Sequence, residues 1–357
     1  MDPLDDLAYL GRLDTGQMLD RIQEFPEQCQ VAWENAAQFA WPPRPEGLEH
    51  IVIAGMGGSA IAGELLAHLV ADSCAVPIFL HRDYGVPAFV GPRSLVVASS
   101  YSGNTEETLS AAREALARGA TVVALSTGGE LARLAAEADL AHYEIRYQSK
   151  PRAALAHSLF PLLNLLQSLG VLADQSRAVQ DAVGTLRGLR SSIGAQVPAR
   201  SNLAKQVAHG LEGRLTILYA AEFLAPVAHR WKTQLNENTK AWAFYEVLPE
   251  LNHNAILGYD QPDEITSDAF VVLLDSRLYL DRNRRRVDVT REVLTRAGVD
   301  HQVIEPQGQS RLAQMLSAVH LGDYVSFYLA ALYGIDPTPM GAIDLLKERL
   351  QESTGRP

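Results

Sequence analysis

The chain has 357 residues, of which 47% are hydrophobic and 20% charged, so it can bury more than one hydrophobic core. Its 31 basic and 42 acidic residues give a formal net charge of −11, which argues against a protein that binds nucleic acid. Cys29 and Cys74 are the only cysteines and no motif joins them, so we expect a reducing, cytoplasmic compartment. The acidic N-terminus lacks the pattern of a signal peptide, and no apolar run reaches the roughly 18 to 20 residues of a spanning helix. We therefore expect no membrane association.

Residues 1–45 have a helical pattern that ends in a proline-rich stretch, and strands and helices then alternate up to residue 150. Such alternation is typical of parallel strands with helices on both faces of the sheet. Strands are predicted at residues 50–54, 76–80, 95–99, 121–125 and 143–145. Helices are predicted at residues 60–71, 106–117 and 151–169.

Residues 171–200 are polar and helical, and a second alternating block follows them. Its strands are predicted at residues 215–219, 270–274 and 301–304, and its helices at residues 225–240, 282–297 and 312–333. Each block has the size of an ordinary domain. We therefore predict an α/β protein with a helical segment over residues 1–45, a first domain over 46–170, a helical connection over 171–200 and a second domain over 201–357.

The most informative segment is residues 100–105, Ser-Tyr-Ser-Gly-Asn-Thr, which lies between a buried strand and an alanine-rich helix. This position supplies free backbone N–H groups and the positive end of a helix dipole, both of which attract an anion. Hydroxyl groups rather than lysines line the turn. They suit a phosphate that must be held by hydrogen bonds and later released.

A glycine-rich turn, residues 55–60, follows the first strand and fits the G-x-G-x-x-A pattern of a dinucleotide-binding loop. An NAD site also needs an acidic residue about 20 residues on, at the end of the second strand, and Asp83 lies too late for it. A phosphate or sugar loop is therefore favoured over NAD, and a tight packing turn is the plain alternative. Both turns open at the carboxyl edge of the sheet, so they can face one crevice.

Glu237 and His253 are candidates for proton transfer. Glu237 lies among amides and hydroxyls, and His253 follows sixteen positions later in an Asn-His-Asn segment. A carboxylate that moves a proton between carbons and an imidazole that moves one between oxygens suffice for aldose–ketose isomerisation without a cofactor. The alternative is that Glu237 pairs with Lys240 on a solvated helix end and that His253 is an ordinary loop histidine.

Arg152 opens a helix, where its charge opposes the helix dipole, so a structural role is not obvious. Over the crevice it could stabilise negative charge on an enediolate oxygen; the alternative is a solvated arginine. Lys347 indicates little by itself, because a lysine on a C-terminal helix usually faces solvent. The sequence contains no metal-ligand spacing, no P-loop lysine and no G-x-S-x-G elbow, so we expect neither a metal nor a cofactor.

Taken together, these segments resemble the sugar isomerase (SIS) domain, and in particular the bifunctional phosphoglucose/phosphomannose isomerases of archaea and bacteria. The resemblance covers about residues 50–350. It is carried by the two turns, by Pro151-Arg152-Ala153, by Asn236-Glu237-Asn238, by Asn252-His253-Asn254 and by the segment from Asp336 to Lys347. It implies two SIS domains, each a mostly parallel, doubly wound, flavodoxin-like sheet flanked by helices, in a homodimer.

The resemblance also implies a reaction, in which glucose 6-phosphate and mannose 6-phosphate are converted to fructose 6-phosphate through a cis-enediolate without a metal. Glu237 would be the base between C1 and C2, and Arg152 would stabilise the enediolate. His253 would open the sugar ring from the neighbouring subunit, helped by Lys347. The groups implied to hold the substrate phosphate are Gly57, Gly58, Ser59, Ser100, Ser102 and Thr105. The family's threonine that admits both C2 epimers lies shortly before the lysine that corresponds to Lys347, where Thr338 is the candidate in this chain.

Two other functions remain open at this point. One is a non-catalytic sugar-phosphate sensor on the same fold, and the other is an NAD-dependent oxidoreductase on a Rossmann fold. Sensors of the first kind usually carry a DNA-binding module. The acidic net charge and the absence of a helix-turn-helix pattern argue against that module here.

Overall fold

The computed structural model describes residues 2–353, and its first sheet has five parallel strands. They are β1 His50–Ala54, β2 Ile78–His81, β3 Ser94–Ser99, β4 Thr121–Ser126 and β5 Ala141–Glu144. Their order in the sheet is β2-β1-β3-β4-β5, with Val52 of β1 between Phe79 of β2 and Val96 of β3. Every residue of β3 is buried, as expected for a strand covered by helices on both faces.

The second sheet has four parallel strands in the order β7-β6-β8-β9. They are β6 Leu215–Ala221, β7 Ala243–Leu248, β8 Ala269–Leu274 and β9 Asp300–Ile304. Strand β7 is absent from the sequence prediction because it lies at an edge, and its exposed Phe244 and Glu246 interrupt the apolar run. The prediction of an α/β fold with two parallel sheets flanked by helices is confirmed.

Helices cover both sheets and lie between them. They are α1 Leu7–Leu13, α2 Met18–Gln23, α3 Phe25–Gln38, α4 Gly57–Leu69, α5 Glu106–Ala117, α6 Gly129–Glu137, α7 Leu155–Ser168, α8 Ser176–Ile193, α9 Leu203–Leu211, α10 Ala225–Gln234, α11 Asp263–Asp268, α12 Asp281–Arg296, α13 Arg311–Leu332 and α14 Gly341–Ser353. Two of the predicted helices, at residues 151–169 and 225–240, include a turn that is not α-helical. A 3₁₀ turn, Pro151–Ala153, precedes α7, and a π-helical turn, Leu235–Thr239, follows α10.

Helix α13 is the central core helix and packs against α8, α9 and α10. It has 22 residues, and its most apolar 18-residue window has a mean hydropathy of 1.2, so it is long and apolar enough to cross a membrane by composition, contrary to the sequence expectation. However, 94% of its most apolar window is buried inside the protein. The N-terminal segment covers it, since Met18, Ile22 and Phe25 belong to the same hydrophobic cluster.

His320 of α13 provides a test of this packing. It is fully buried, its ring stacks on Phe25 of α3 at 5.5 Å between centroids, and it lies edge-on to Tyr324 at 5.0 Å. Neither ring nitrogen has a hydrogen-bond partner within residues 2–353. Burial lowers the pKa of His320 to about 3. Its folded-state pKa therefore lies below the unfolded value of about 6.5.

The neutral ring of His320 consequently contributes stability that is complete above pH 6.5 and is lost as the pH falls toward 3. We expect this one residue to reduce the free energy of unfolding by up to about 1.4 kcal/mol per pH unit below 6.5. Urea unfolding at pH 7.5 and pH 4.5 checks this, with His320→Phe as the variant that cannot titrate. The wild type should lose more stability than the variant, and equal losses would contradict the assignment.

Candidate active site

The two predicted phosphate turns lie at the carboxyl ends of the adjacent strands β1 and β3, and they contact each other. The Oγ of Ser59 accepts a hydrogen bond from the backbone N–H of Tyr101 at 3.1 Å. A Cβ on Gly55 would lie only 2.7 Å from the carbonyl oxygen of Ser99, so glycine is needed for this approach. The structure therefore brings the two turns together in one crevice at the edge of the first sheet.

The turn of residues 100–105 is held by its own hydroxyl groups. The Oγ of Ser100 is hydrogen-bonded to the Oγ1 of Thr105 at 2.8 Å and accepts from the N–H of Gly103 at 3.1 Å. The Oγ of the exposed Ser102 accepts from the N–H of Asn104 at 3.2 Å. This internal bonding preforms the turn before any ligand arrives.

Two helices begin at this crevice, α4 at Gly57 and α5 at Glu106. No side chain in the described part of the chain caps either of them. Their first backbone N–H groups therefore remain available to an anion, and both helix dipoles present their positive ends at the same edge.

Arg152 packs directly against the glycine-rich turn. A Cβ on Gly58 would lie 3.0 Å from the carbonyl oxygen of Pro151 and 3.4 Å from the nitrogen of Arg152. The side chain of Arg152 is only 2% exposed, so the alternative of a solvated arginine is wrong. Burial lowers the pKa of its guanidinium, and the nearby carboxylate of Glu237 opposes that shift.

The buried guanidinium of Arg152 is surrounded by acceptors from the second half of the chain. Its contacts are Nε to Asn238 Oδ1 at 2.8 Å, Nη1 to Glu237 Oε2 at 3.4 Å and to Met340 Sδ at 3.0 Å, and Nη2 to the carbonyl oxygens of Pro337 at 2.8 Å and Thr338 at 3.3 Å. Arg152 thus connects three parts of the site, since its backbone packs against Gly58 of the phosphate crevice and its side chain contacts Glu237 and the segment of residues 336–340. Thr338, the candidate for the threonine that admits both C2 epimers, contributes its main-chain carbonyl to this set of acceptors.

Glu237 lies in the π-helical turn Leu235–Thr239, a widened helical turn of a kind often found at functional sites. Its side chain is 28% exposed, whereas the neighbouring Asn238 is fully buried. The Nζ of Lys240 donates to the main-chain carbonyl of Glu237 at 2.5 Å and to that of Pro337 at 3.1 Å. The carboxylate of Glu237 therefore pairs with Arg152 and not with Lys240, contrary to the alternative interpretation.

Lys240 is a site residue that sequence reasoning did not assign. Burial lowers the pKa of its ammonium group, and the nearby Arg152 lowers it further. Its position directly after the Asn-Glu-Asn segment was the available signal. Met340 was also missed, because nothing in its local sequence indicates the 188-residue separation across which it contacts Arg152.

His253 and Glu237 lie at opposite ends of strand β7. Glu237 precedes Ala243, the first residue of β7, and His253 follows Leu248, the last one. Six strand residues span about 20 Å, so the two side chains lie at opposite edges of the second sheet. His253 is exposed, and no hydrogen bond or ion pair joins it to the site residues described above. A single chain does not bring His253 to Glu237.

Lys347 is likewise separate from the crevice within one chain. It lies on α14, where it is exposed, and no hydrogen bond or ion pair connects it to the other described site residues. Helix α14 begins directly after the segment 336–340, which contacts Arg152. Its exposed face includes the apolar side chains of Ile343, Leu345 and Leu346.

Most of the chain is similar to known protein families and to known proteins. Residues 48–167 match the model of the SIS domain, and residues 200–350 match that of the bacterial phospho-glucose isomerase C-terminal SIS domain. The chain is 41% identical to the bifunctional phosphoglucose/phosphomannose isomerase of Caldicellulosiruptor bescii, over 94% of this chain and 99% of that protein. It is 36% identical to the protein of the same name from Aquifex aeolicus, over 90% of this chain and 95% of that protein.

Among solved structures, a hypothetical protein from Thermus thermophilus is similar, with a TM-score of 0.75 and 17% identity. The match covers 98% of this chain and 94% of that chain. At this identity the likeness shows the fold alone.

Gly103 tests the preformed phosphate turn. Its φ is +71°, and a Cβ would lie 1.9 Å from the carbonyl oxygen of Gly128, so Gly103→Ala must displace the turn. We expect at least a roughly tenfold weaker affinity for a hexose 6-phosphate, measured by calorimetry, because the backbone N–H groups would lose their alignment.

The matched control is Gly213→Ala, where φ is +73° and nothing lies within 4 Å of the added Cβ. It should cost about 1 kcal/mol of stability and leave the affinity unchanged within twofold. Equal affinities for the two variants would contradict a role of the turn in binding.

Proposed function

The chain belongs to the bifunctional phosphoglucose/phosphomannose isomerase family, and we propose that it interconverts glucose 6-phosphate and mannose 6-phosphate with fructose 6-phosphate. The observation that carries this proposal is the position of Arg152. Its backbone lies against the glycine-rich turn, and its buried guanidinium contacts the carboxylate of Glu237. A phosphate held in the crevice would therefore place the sugar carbons beside a base and a cation.

In this proposal the crevice holds the 6-phosphate. Gly57 and Gly58 would contribute backbone N–H groups at the start of α4 and Ser59 its hydroxyl proton, and Ser100, Ser102 and Thr105 would contribute hydroxyl and backbone groups at the start of α5. Hydrogen bonds and helix dipoles, without a lysine, give affinity that still allows the product to leave.

Glu237 would transfer the proton between carbons. As a base it removes the proton from C2 of the open-chain aldose, which leaves a cis-enediolate. After the hydroxyl proton passes from O2 to O1, Glu237 returns the proton to C1, which gives fructose 6-phosphate. Its partial exposure on a π-helical turn leaves the carboxylate accessible to substrate. General acid–base steps of this kind typically contribute about 10² to 10⁴ in rate.

Arg152 would stabilise the negative charge that develops on the enediolate oxygens. A guanidinium held in a buried position provides this stabilisation without reorganising during the reaction, and low local polarity strengthens it. To accept both epimers, the enzyme must present the C2 proton of either sugar to Glu237. Rotation about the C2–C3 bond of the substrate would achieve this.

Opening of the sugar ring would fall to His253 of the partner subunit, in a homodimer, with help from Lys347. This inference is supported by the position of β7, a strand roughly 20 Å long that follows Glu237 and precedes His253 in the same chain. The edge of the second sheet also favours an interface, since Trp242 before β7 and Leu257 after it are 78% and 81% exposed and β7 is an open edge strand. Packing of the apolar face of α14 against the second copy would order Lys347.

The substitution Glu237→Gln tests the assignment of the base. It keeps the size and the hydrogen-bonding capacity of the side chain but cannot accept the proton. We expect formation of fructose 6-phosphate from either aldose to fall by at least about 10²-fold, while the affinity for glucose 6-phosphate changes by less than threefold. Turnover close to that of the wild type would remove Glu237 from this role.

The same variant also tests the shared site, when it is mixed with His253→Ala. If His253 acts across the interface, each mixed dimer contains one site with both native residues. An equal mixture with free subunit exchange should then regain about a quarter of the wild-type activity. Differently tagged subunits report the exchange by co-purification, and an inactive mixture with proven exchange would place both residues in one chain.

A further inference from the structure

A buried ion pair lies behind Arg152, between helices α10 and α13. The Nη2 of Arg230 contacts both carboxylate oxygens of Asp323, at 3.1 and 3.0 Å, and both side chains are nearly inaccessible to solvent. The amide nitrogen of Gln234 donates to Asp323 Oδ1 at 2.8 Å. Burial of such a pair costs much of the free energy that its attraction returns, so stability alone is a weak reason for it.

Arg230 of this ion pair also contacts the backbone of Arg152. The Nη2 of Arg230 also donates to the carbonyl oxygen of Arg152, at 2.8 Å. Because that carbonyl belongs to the 3₁₀ turn Pro151–Ala153, the contact ties the turn to helix α10. The same turn packs against Gly58 of the phosphate crevice.

A chain of hydrogen bonds that begins at the backbone of Asp323 reaches the side chain of Arg152. The Oγ of Ser326 donates to the carbonyl oxygen of Asp323 at 2.8 Å and accepts from the amide nitrogen of Asn238 at 2.9 Å. The Oδ1 of Asn238 then accepts from the Nε of Arg152 at 2.8 Å. Asp323 is thus connected to Arg152 at both its main chain and its guanidinium.

Ser326 determines which way the amide of Asn238 points. A serine hydroxyl has a single proton, and here it is donated to Asp323, so the oxygen can only accept from Asn238. Asn238 must therefore turn its nitrogen toward Ser326 and its oxygen toward Arg152. Without that hydroxyl, the amide loses its buried acceptor and its orientation is no longer specified.

We propose that Arg230, Asp323 and Ser326 are positioning residues, which hold Arg152 in the orientation that the reaction requires. They touch no substrate in this proposal and act only through Arg152 and Asn238. Helix α13 provides the rigid frame, because its two contributing residues are three positions apart on a helix buried in the core. The inference rests on the proposed role of Arg152 in the isomerase reaction.

Ser326→Ala is the test, since it removes one hydroxyl and leaves the ion pair intact. We expect kcat for glucose 6-phosphate to fall about tenfold to a hundredfold, while KM changes by less than twofold. Ser317→Ala is the matched control. Ser317 is an equally buried serine of α13, but its hydroxyl bonds to the backbone of Gln307, away from Arg152. This control should keep its kcat within twofold, whatever stability it loses in thermal unfolding.

A double-mutant cycle separates this inference from the proposed function. In the background of Arg152→Ala, the further change Ser326→Ala should leave kcat unchanged within twofold, because its only route of action is gone. If Arg152→Ala alone retains wild-type kcat, the role of Arg152 is wrong. If Arg152→Ala lowers kcat but Ser326→Ala lowers it no more than Ser317→Ala does, the positioning role is wrong. It is also wrong if Ser326→Ala lowers kcat by the same factor in the Arg152→Ala background as in the wild type.

Discussion

The buried guanidinium of Arg152 is the interaction on which the rest of the site depends. A cation that is 2% exposed is tolerated only if acceptors surround it, since an unpaired buried charge is very costly. Here the acceptors come from two distant segments, the π-helical turn around Glu237 and the loop of residues 336–340. The partners of this one guanidinium therefore come from parts of the chain that lie 85 to 188 residues from Arg152.

The two halves of the chain contribute different groups to the proposed site. The carboxyl edge of the first sheet offers two helix N-termini, which suit an anion and carry no side-chain caps within the described chain. The second half of the chain supplies the carboxylate and the buried frame of α10 and α13. Because β7 separates His253 from Glu237 within one chain, we propose that the site is completed by His253 of a second copy in a symmetric dimer.

Much of this could be predicted from local sequence. The strands β1, β3 and β4 are continuous apolar runs, and the two turns carry the glycines and hydroxyls that an anion site requires. Strand β7 could not be found this way, since an edge strand alternates between buried and exposed residues. The pairing of Arg152 with Glu237 could not be predicted either. The hydrophobic periodicity of a helix or strand indicates which of its faces is buried, but not which distant residue contacts that face. The ion pair of Arg230 and Asp323 escapes prediction for the same reason, as charged residues are seldom fully buried.

We propose that the phosphate crevice, with Glu237, Arg152, His253 and Lys347, suffices for isomerisation at C1 and C2 of either epimer. The most direct measurement supplies purified protein with glucose 6-phosphate or mannose 6-phosphate, separately and in excess EDTA, and follows the formation of fructose 6-phosphate. We expect product from both sugars. Binding of both sugars with no product from either would contradict the proposal and would favour a sugar-phosphate sensor on the same fold.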